Sequence, residues 1–275
     1  MEKRALVISP IAPYVVKPAH MAEPDDEGWY GQIVEILEEA EDGFYRIRTP
    51  YRYETYVHAT HLCLDEAEAE RWEKADLRRV WAAWADVQVE SGATHPHHIS
   101  LCRGAVVEFV APPEKPQGWA KVRLIGGAEG FVREGFLGPY YENEPSAGEE
   151  ELRNSVVEAA KLYMGVQYRW GGKTPQGIDC SGLASMAYLL NGVVIWRDAS
   201  IKEGFPLHEI PRERMKPGDL LFFPGHVAVY IGGGEFVHST AFPGSDGVVL
   251  NSLDPGHPRY RLDLDKGMTA VGSLF

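Results

Sequence analysis

The segment Gly177-Ile178-Asp179-Cys180-Ser181-Gly182-Leu183-Ala184 joins a turn to the start of an apolar helix. Asp179 is typical of helix N-caps, so the segment predicts a helix over residues 179–190 that stops at Asn191-Gly192. Cys180 then lies in the first helical turn, where unpaired backbone N–H groups and the helix dipole favour a negative charge. A nucleophilic thiol needs this setting together with a base. The alternative is a small buried cysteine that only packs the helix.

A second segment, residues 225–238 with the sequence GHVAVYIGGGEFVH, predicts two strands joined by glycines. If residues 232–234 form the loop, paired residue numbers sum to 466. His226 and His238 then lie diagonally on one face, with Cα atoms about 7–8 Å apart. A two-residue loop would make the sum odd and place the histidines on opposite faces. In the first register, one histidine can act as base for Cys180 while the other orients its imidazole.

Cys180 and the two histidines are also residue types that bind zinc. The sequence has no Cys-x-x-Cys or His-x-x-x-His pair beside them to supply the first ligands. Its three cysteines are too few and too scattered for a disulfide framework. We therefore expect no metal site and no cofactor.

Composition and charge exclude several classes of function. The 275 residues include 40 acidic and 27 basic side chains, for a net charge of -13. This sign is wrong for binding nucleic acid or an anionic membrane. The sequence has no run of about 20 apolar residues, the length that a membrane-spanning helix needs. The N-terminus has only a four-residue apolar run, too short for a signal peptide, so we expect a cytoplasmic protein, or an exported one if a leader precedes the sequence.

The N-terminal half predicts two small β modules, residues 1–64 and 85–142. Both contain Gly-aromatic-x-x-(Ile/Val)-Arg followed by Glu-x-(Tyr/Phe)-Val, which indicates an internal duplication. The alternative is a single irregular β domain. Residues 65–84 predict a connecting helix, and the polar stretch 141–148 predicts a linker. Residues 148–275 predict an α+β domain with helices first and an antiparallel sheet after them.

Six motifs follow one another over residues 168–238. They read YRWGG (168–172), DCSGL (179–183), RDAS (197–200), KPGDLLFF (216–223), HVAVYIG (226–232) and FVH (236–238). In this order they resemble the NlpC-type papain-like cysteine peptidases of bacterial murein. The two N-terminal modules resemble the SH3-like domains that accompany such peptidases. The resemblance thus implies a multidomain fold, with two small all-β SH3-like barrels followed by an α+β papain-like catalytic domain.

The resemblance also implies an activity, hydrolysis of the bond between γ-linked D-glutamate and meso-diaminopimelate or lysine in peptidoglycan stem peptides. Cys180 would attack the carbonyl, His226 would move the proton and His238 would orient His226. The backbone N–H of Cys180 and the hydroxyl of Tyr168 would hold the oxyanion, although Tyr168 as a core aromatic is the alternative. The resemblance places three further residues in the substrate pocket: Asp179, Ser181 and Ser200.

Without a visible signal peptide, the resemblance implies short recycled murein peptides as substrates. Members with two SH3-like domains use the first to close the cleft, so that only peptides with a free N-terminal L-Ala fit. A buried ammonium group needs a carboxylate partner, and Glu54 is the candidate, with a solvated glutamate as the alternative.

Two other functions stay open on the sequence. One is a murein-peptide binding protein with a vestigial catalytic domain, against which the presence of all three catalytic residue types argues. The other is an acyl transferase that uses the same thioester chemistry, and it requires no different residues.

Overall fold

The structure is a computed structural model that describes residues 3–113, 118–141 and 148–275. The chain divides into two compact units, Met1–Tyr140 and Tyr141–Phe275. Most of the linker predicted over residues 141–148 lies outside the described residues, as does residue 142, the predicted end of the second β module.

The first unit contains two seven-stranded antiparallel sheets. The strands of the first are β1 (Lys3–Val7), β2 (Ile11–Val15), β3 (Pro24–Trp29), β4 (Ile33–Glu39), β5 (Phe44–Arg48), β6 (Glu54–His58) and β7 (Leu62–Cys63). Those of the second are β8 (Leu77–Val80), β9 (Trp84–Gln88), β10 (His97–Cys102), β11 (Val106–Ala111), β12 (Trp119–Arg123), β13 (Glu129–Arg133) and β14 (Leu137–Pro139).

The two sheets have the same strand order, which confirms the predicted duplication. The first runs β3-β2-β6-β5-β4-β1-β7 and the second β10-β9-β13-β12-β11-β8-β14. In each, a short 3-10 helix precedes the last strand. Both ladders are open in the described part of the chain, with the third and seventh strands of each module at the edges. The SH3-like barrels therefore stay a prediction.

The connecting helix is shorter than the predicted 65–84. Helix α1 (Glu66–Glu73) begins at Asp65, whose carboxylate accepts from the backbone N–H groups of Ala67 and Glu68. The chain then enters strand β8, which pairs with β11, so the end of the predicted helix belongs to the second sheet. Sheet pairing and the burial of Leu77 override the charge pattern typical of a helix.

The second unit is the predicted α+β domain. Its elements are α2 (Glu149–Lys161), β15 (Lys173–Thr174), β16 (Gly177–Ile178), α3 (Cys180–Leu189), β17 (His208–Ile210), β18 (Leu220–Phe223), β19 (His226–Gly232), β20 (Glu235–Thr240), β21 (Gly247–Ser252), α4 (Leu262–Gly267) and β22 (Ala270–Ser273). Six strands form one antiparallel sheet in the order β17-β22-β18-β19-β20-β21. Helix α3 packs on β19 and β20. None of the described helices is long and apolar enough to cross a membrane.

Candidate active site

The β19–β20 hairpin brings the two histidines together. Val229 pairs with Val237 and Tyr230 with Phe236, which is the register with the sum of 466. At the turn, however, Gly232 pairs with Glu235, so the loop has only two residues. A bulge between Tyr230 and Gly232 restores the sum of 466 for the rest of the hairpin. His226 Nε2 lies 2.7 Å from His238 Nδ1.

Helix α3 begins as the sequence predicts, with Asp179 as its N-cap and Cys180 as its first residue. One Asp179 oxygen accepts from the backbone N–H of Gly182 at 2.6 Å. The other accepts from the N–H of Gly171 at 2.9 Å. These bonds fix the first turn of α3 and join it to the loop at Gly171.

The Cys180 thiol is buried between helix and sheet. Burial, and after it the charge of Asp179, raise the pKa of Cys180 to about 11. Backbone N–H groups of Val227 and Ser181, and the charge of Arg197, act in the opposite direction. The backbone N–H at the helix start therefore does stabilise the Cys180 thiolate, as expected. Burial outweighs this effect, and the resting thiol is protonated at neutral pH. Because Val227 directly follows His226, its hydrogen bond to the sulfur brings the start of β19 to the first turn of α3.

Both histidines are neutral at pH 7. Burial is the largest cause that lowers the pKa of His226 to about 3, and the neighbouring His238 and Arg261 lower it further. Burial likewise lowers the pKa of His238 to about 4, against a hydrogen bond to Asn251 that raises it. Asp263 acts in the raising direction on both rings.

Arg197 forms a buried ion pair beneath the nucleophile. Its guanidinium donates to Asp179 Oδ1 at 3.1 Å, to Asp179 Oδ2 at 2.9 Å and to Ser181 Oγ at 2.8 Å. Arg197 is the first residue of the RDAS motif, and the sequence alone indicated no role for it. A buried carboxylate next to a thiol needs a cation, and that requirement is the signal that could have found it.

Three other predicted residues belong to the same unit. Tyr168 is partly buried, and its pKa is raised to about 12, first by burial and then by the charges of Cys180 and Asp179, so its phenol stays a hydrogen-bond donor at pH 7. Ser181 and Ser200 line one small pocket, together with Trp196. In the described part of the chain, no three His, Cys, Asp or Glu side chains gather as a metal site would require.

Glu54 lies in the other unit, on β6, and its carboxylate is already paired. It binds Arg46 at 2.6 Å and Arg48 at 2.9 Å. The equivalent residue of the second sheet, Glu129, binds Lys121 at 2.6 Å and Arg123 at 3.0 Å. The duplication thus repeats the same cross-strand ion pairs, which indicates a role within the sheet.

Residues 165–263 match the sequence profile of the NlpC/P60 family. The dipeptidyl-peptidase 6 of Lysinibacillus sphaericus is 43% identical over 272 residues, which cover 98% of this chain and 99% of that protein. The chain belongs to the NlpC/P60 family. As a member of this cysteine peptidase family, it is a hydrolase.

Two further comparisons agree with this membership. The gamma-D-glutamyl-L-lysine dipeptidyl-peptidase of Bacillus subtilis is 34% identical over 135 residues, 46% of this chain and 42% of that protein. The crystal structure of an NlpC/P60 family protein from Bacillus cereus is 16% identical and superposes with a TM-score of 0.77, covering 98% of each chain. This second similarity shows a common fold.

Proposed function

We propose that the protein is a cysteine endopeptidase that hydrolyses the γ-D-glutamyl-L-diamino acid bond of peptidoglycan stem peptides. Its substrates are short recycled peptides with a free N-terminal L-Ala, and one product is L-Ala-γ-D-Glu. The observation that carries the proposal is the buried hydrogen bond between His226 and His238 on the strand pair beside Cys180. The names of the two relatives support it, since both describe release of a dipeptide and one describes a γ-D-glutamyl-L-lysine substrate.

The first step is attack by Cys180 on the carbonyl carbon of the γ-glutamyl amide. The thiol proton moves to His226 as the carbon–sulfur bond forms, because the resting thiol and imidazole are both neutral. His238 accepts a hydrogen bond from His226 and stabilises the imidazolium that results.

The tetrahedral intermediate carries its negative charge on the former carbonyl oxygen. The backbone N–H of Cys180 and the phenol of Tyr168 donate hydrogen bonds to this oxyanion. As the intermediate collapses, the carbon–nitrogen bond breaks and the diamino acid leaves with the proton from His226. Water then attacks the thioester, with His226 again as the base, and releases the dipeptide and the free thiol.

The pocket with Ser181 and Ser200 includes the residue directly after the nucleophile, and we place the D-glutamyl part of the substrate beside it. Asp179 uses both carboxylate oxygens inside the protein, so we assign it to holding Cys180 and Ser181 in place. Because Glu54 is paired with two arginines, we do not assign it as the group that binds the substrate ammonium. We retain two SH3-like modules as the proposal for the duplicated N-terminal sheets.

Product analysis by mass spectrometry tests the proposal. L-Ala-γ-D-Glu-meso-diaminopimelate and its N-acetylated form are each incubated with wild type and with Cys180→Ala. We expect free diaminopimelate from the unblocked peptide with wild type alone. Cleavage of both peptides would contradict the requirement for a free N-terminus, and cleavage of neither would contradict the substrate assignment.

A further inference from the structure

Asn251, on strand β21, continues the hydrogen-bonded chain behind the two histidines. Its Oδ1 lies 2.9 Å from His238 Nε2, and its Nδ2 donates to the carbonyl oxygen of Arg259 at 3.2 Å. Because the amide nitrogen is committed to that carbonyl, the atom that faces His238 is the oxygen. An amide oxygen only accepts hydrogen bonds.

This fixes which ring nitrogens carry protons. His238 must hold its proton on Nε2 to donate to Asn251, so its Nδ1 has a free lone pair. His226 must then hold its proton on Nε2 to donate across the 2.7 Å contact. The remaining nitrogen of His226, Nδ1, is left as the basic atom, which is the state that can receive the Cys180 proton.

The opposite arrangement cannot support the reaction. With its proton on Nδ1, His238 would donate to His226 Nε2, and His226 would hold its proton on Nδ1. That nitrogen could not accept the thiol proton. We propose that Asn251 is a positioning residue that selects the productive tautomer of the His226–His238 pair, an inference that rests on the proposed catalytic function.

The burial of His238 and the strand register make Asn251 the group that selects its tautomer. His238 is fully buried, so bulk water does not reach its ring as a substitute acceptor. Strand register fixes the geometry, since His238 pairs with Val249 and Asn251 lies two residues further on the same face. The ring of Phe236, which pairs with Asn251, packs edge-on against His238 at 5.0 Å.

The charged groups that act on the two histidines are Arg261 and Asp263, from the loop and helix after β21. They form an ion pair with contacts of 2.8 and 2.6 Å, so their opposite charges largely offset each other. Neither is a hydrogen-bond partner of His238, whose Nε2 contacts the Asn251 oxygen and whose Nδ1 contacts His226.

Two variants of Asn251 separate its acceptor role from a structural one. Asn251→Leu removes both the acceptor and the donor, whereas Asn251→Asp keeps an acceptor for His238 and loses only the donor to Arg259. We expect kcat for the unblocked tripeptide to fall on the order of 10- to 100-fold in Asn251→Leu, with little change in KM, because Asn251 touches no reacting atom. Asn251→Asp should keep most of kcat and shift the acid limb of its pH profile upward, because a carboxylate stabilises the imidazolium.

Two readouts need no substrate. Nitrogen-15 NMR of the histidine rings should show the proton of His238 on Nε2 in wild type and a mixture of tautomers in Asn251→Leu. Alkylation of Cys180 by iodoacetamide, followed by mass spectrometry of its peptide, should slow in Asn251→Leu alone. Failure of wild type to cleave the peptide would count against the proposed function, while these two readouts would still decide the inference.

Three results would overturn the role of Asn251. The first is a wild-type His238 protonated on Nδ1. The second is an equal loss of kcat in both variants, which would mean that the Arg259 contact matters instead. The third is an Asn251→Leu enzyme with wild-type kcat and alkylation rate.

Discussion

Replacing Arg197 with methionine removes the cation that balances Asp179 beneath the nucleophile. The two side chains are only 2% and 8% exposed, and Arg197 makes three hydrogen bonds to Asp179 and Ser181. Loss of one partner of a buried ion pair leaves an uncompensated charge, at a cost of about 3–5 kcal/mol. At roughly 2–4 °C per kcal/mol for a chain of this size, the melting temperature should fall by about 10 °C.

The charge change also reaches Cys180. Arg197 lowers the pKa of the thiol and Asp179 raises it, so the variant should hold its thiol proton more tightly and react more slowly with iodoacetamide at pH 7. The control is the double variant Asp179→Asn/Arg197→Met, which removes both charges and should recover part of the lost stability. Calorimetry and the alkylation rate measure the two effects. A melting temperature within about 2 °C of wild type for Arg197→Met, or no recovery in the double variant, would refute the reasoning.

Four further predictions follow from the site and from the duplicated sheets. Cys180→Ala should abolish turnover with an unchanged melting temperature, and residual full activity would exclude the thiol as nucleophile. His226→Ala should reduce kcat more than His238→Ala, because orienting a base matters less than being the base; equal kcat values would contradict the two roles. Since the pKa values of His226 and Cys180 lie at about 3 and about 11, kcat/KM should be flat from roughly pH 5 to roughly pH 9, whereas an acid limb near pH 6.5 would indicate a solvated base. Glu54→Gln and its matched control Glu129→Gln should both leave kcat/KM for the unblocked tripeptide unchanged; a loss in Glu54→Gln alone would restore Glu54 to the substrate site.

The sequence predicted the parts of the site that depend on local chemistry. Asp179 has the side chain that an N-cap requires, and the glycines after Ile231 allow the turn that brings His226 beside His238. The prediction that the two histidines share one face was correct, and so was the register sum of 466. The predicted three-residue loop was wrong. A two-residue turn and a bulge give the same sum, and an alternating pattern does not distinguish these two solutions.

Long-range contacts account for what the sequence did not predict. Strand β3 has the sequence PDDEGW, without apolar alternation, and it buries Asp26, whose carboxylate accepts a hydrogen bond from the hydroxyl of Tyr51. Asp179 lies 18 residues before Arg197 in the chain, and His238 lies 13 residues before Asn251. The requirement for a cation beside Asp179 can be inferred from the sequence. Which arginine meets it, and that Asn251 faces His238, are set by the packing of whole elements.

The net effect on the Cys180 pKa shows the same limit. The position at the helix start was predicted correctly, and the Ser181 N–H there does lower the pKa of Cys180. The depth of burial, which comes from packing α3 against β19, could not be seen in the sequence and reverses the sign.

The most direct test of the catalytic account is the intact mass of the enzyme after a rapid acid quench during turnover of L-Ala-γ-D-Glu-meso-diaminopimelate. We expect an adduct with the mass of an L-Ala-γ-D-Glu acyl group, located on the peptide that contains Cys180 and absent from Cys180→Ala. Turnover without an adduct on that peptide at any quench time, or an adduct that persists in Cys180→Ala, would contradict nucleophilic catalysis by Cys180.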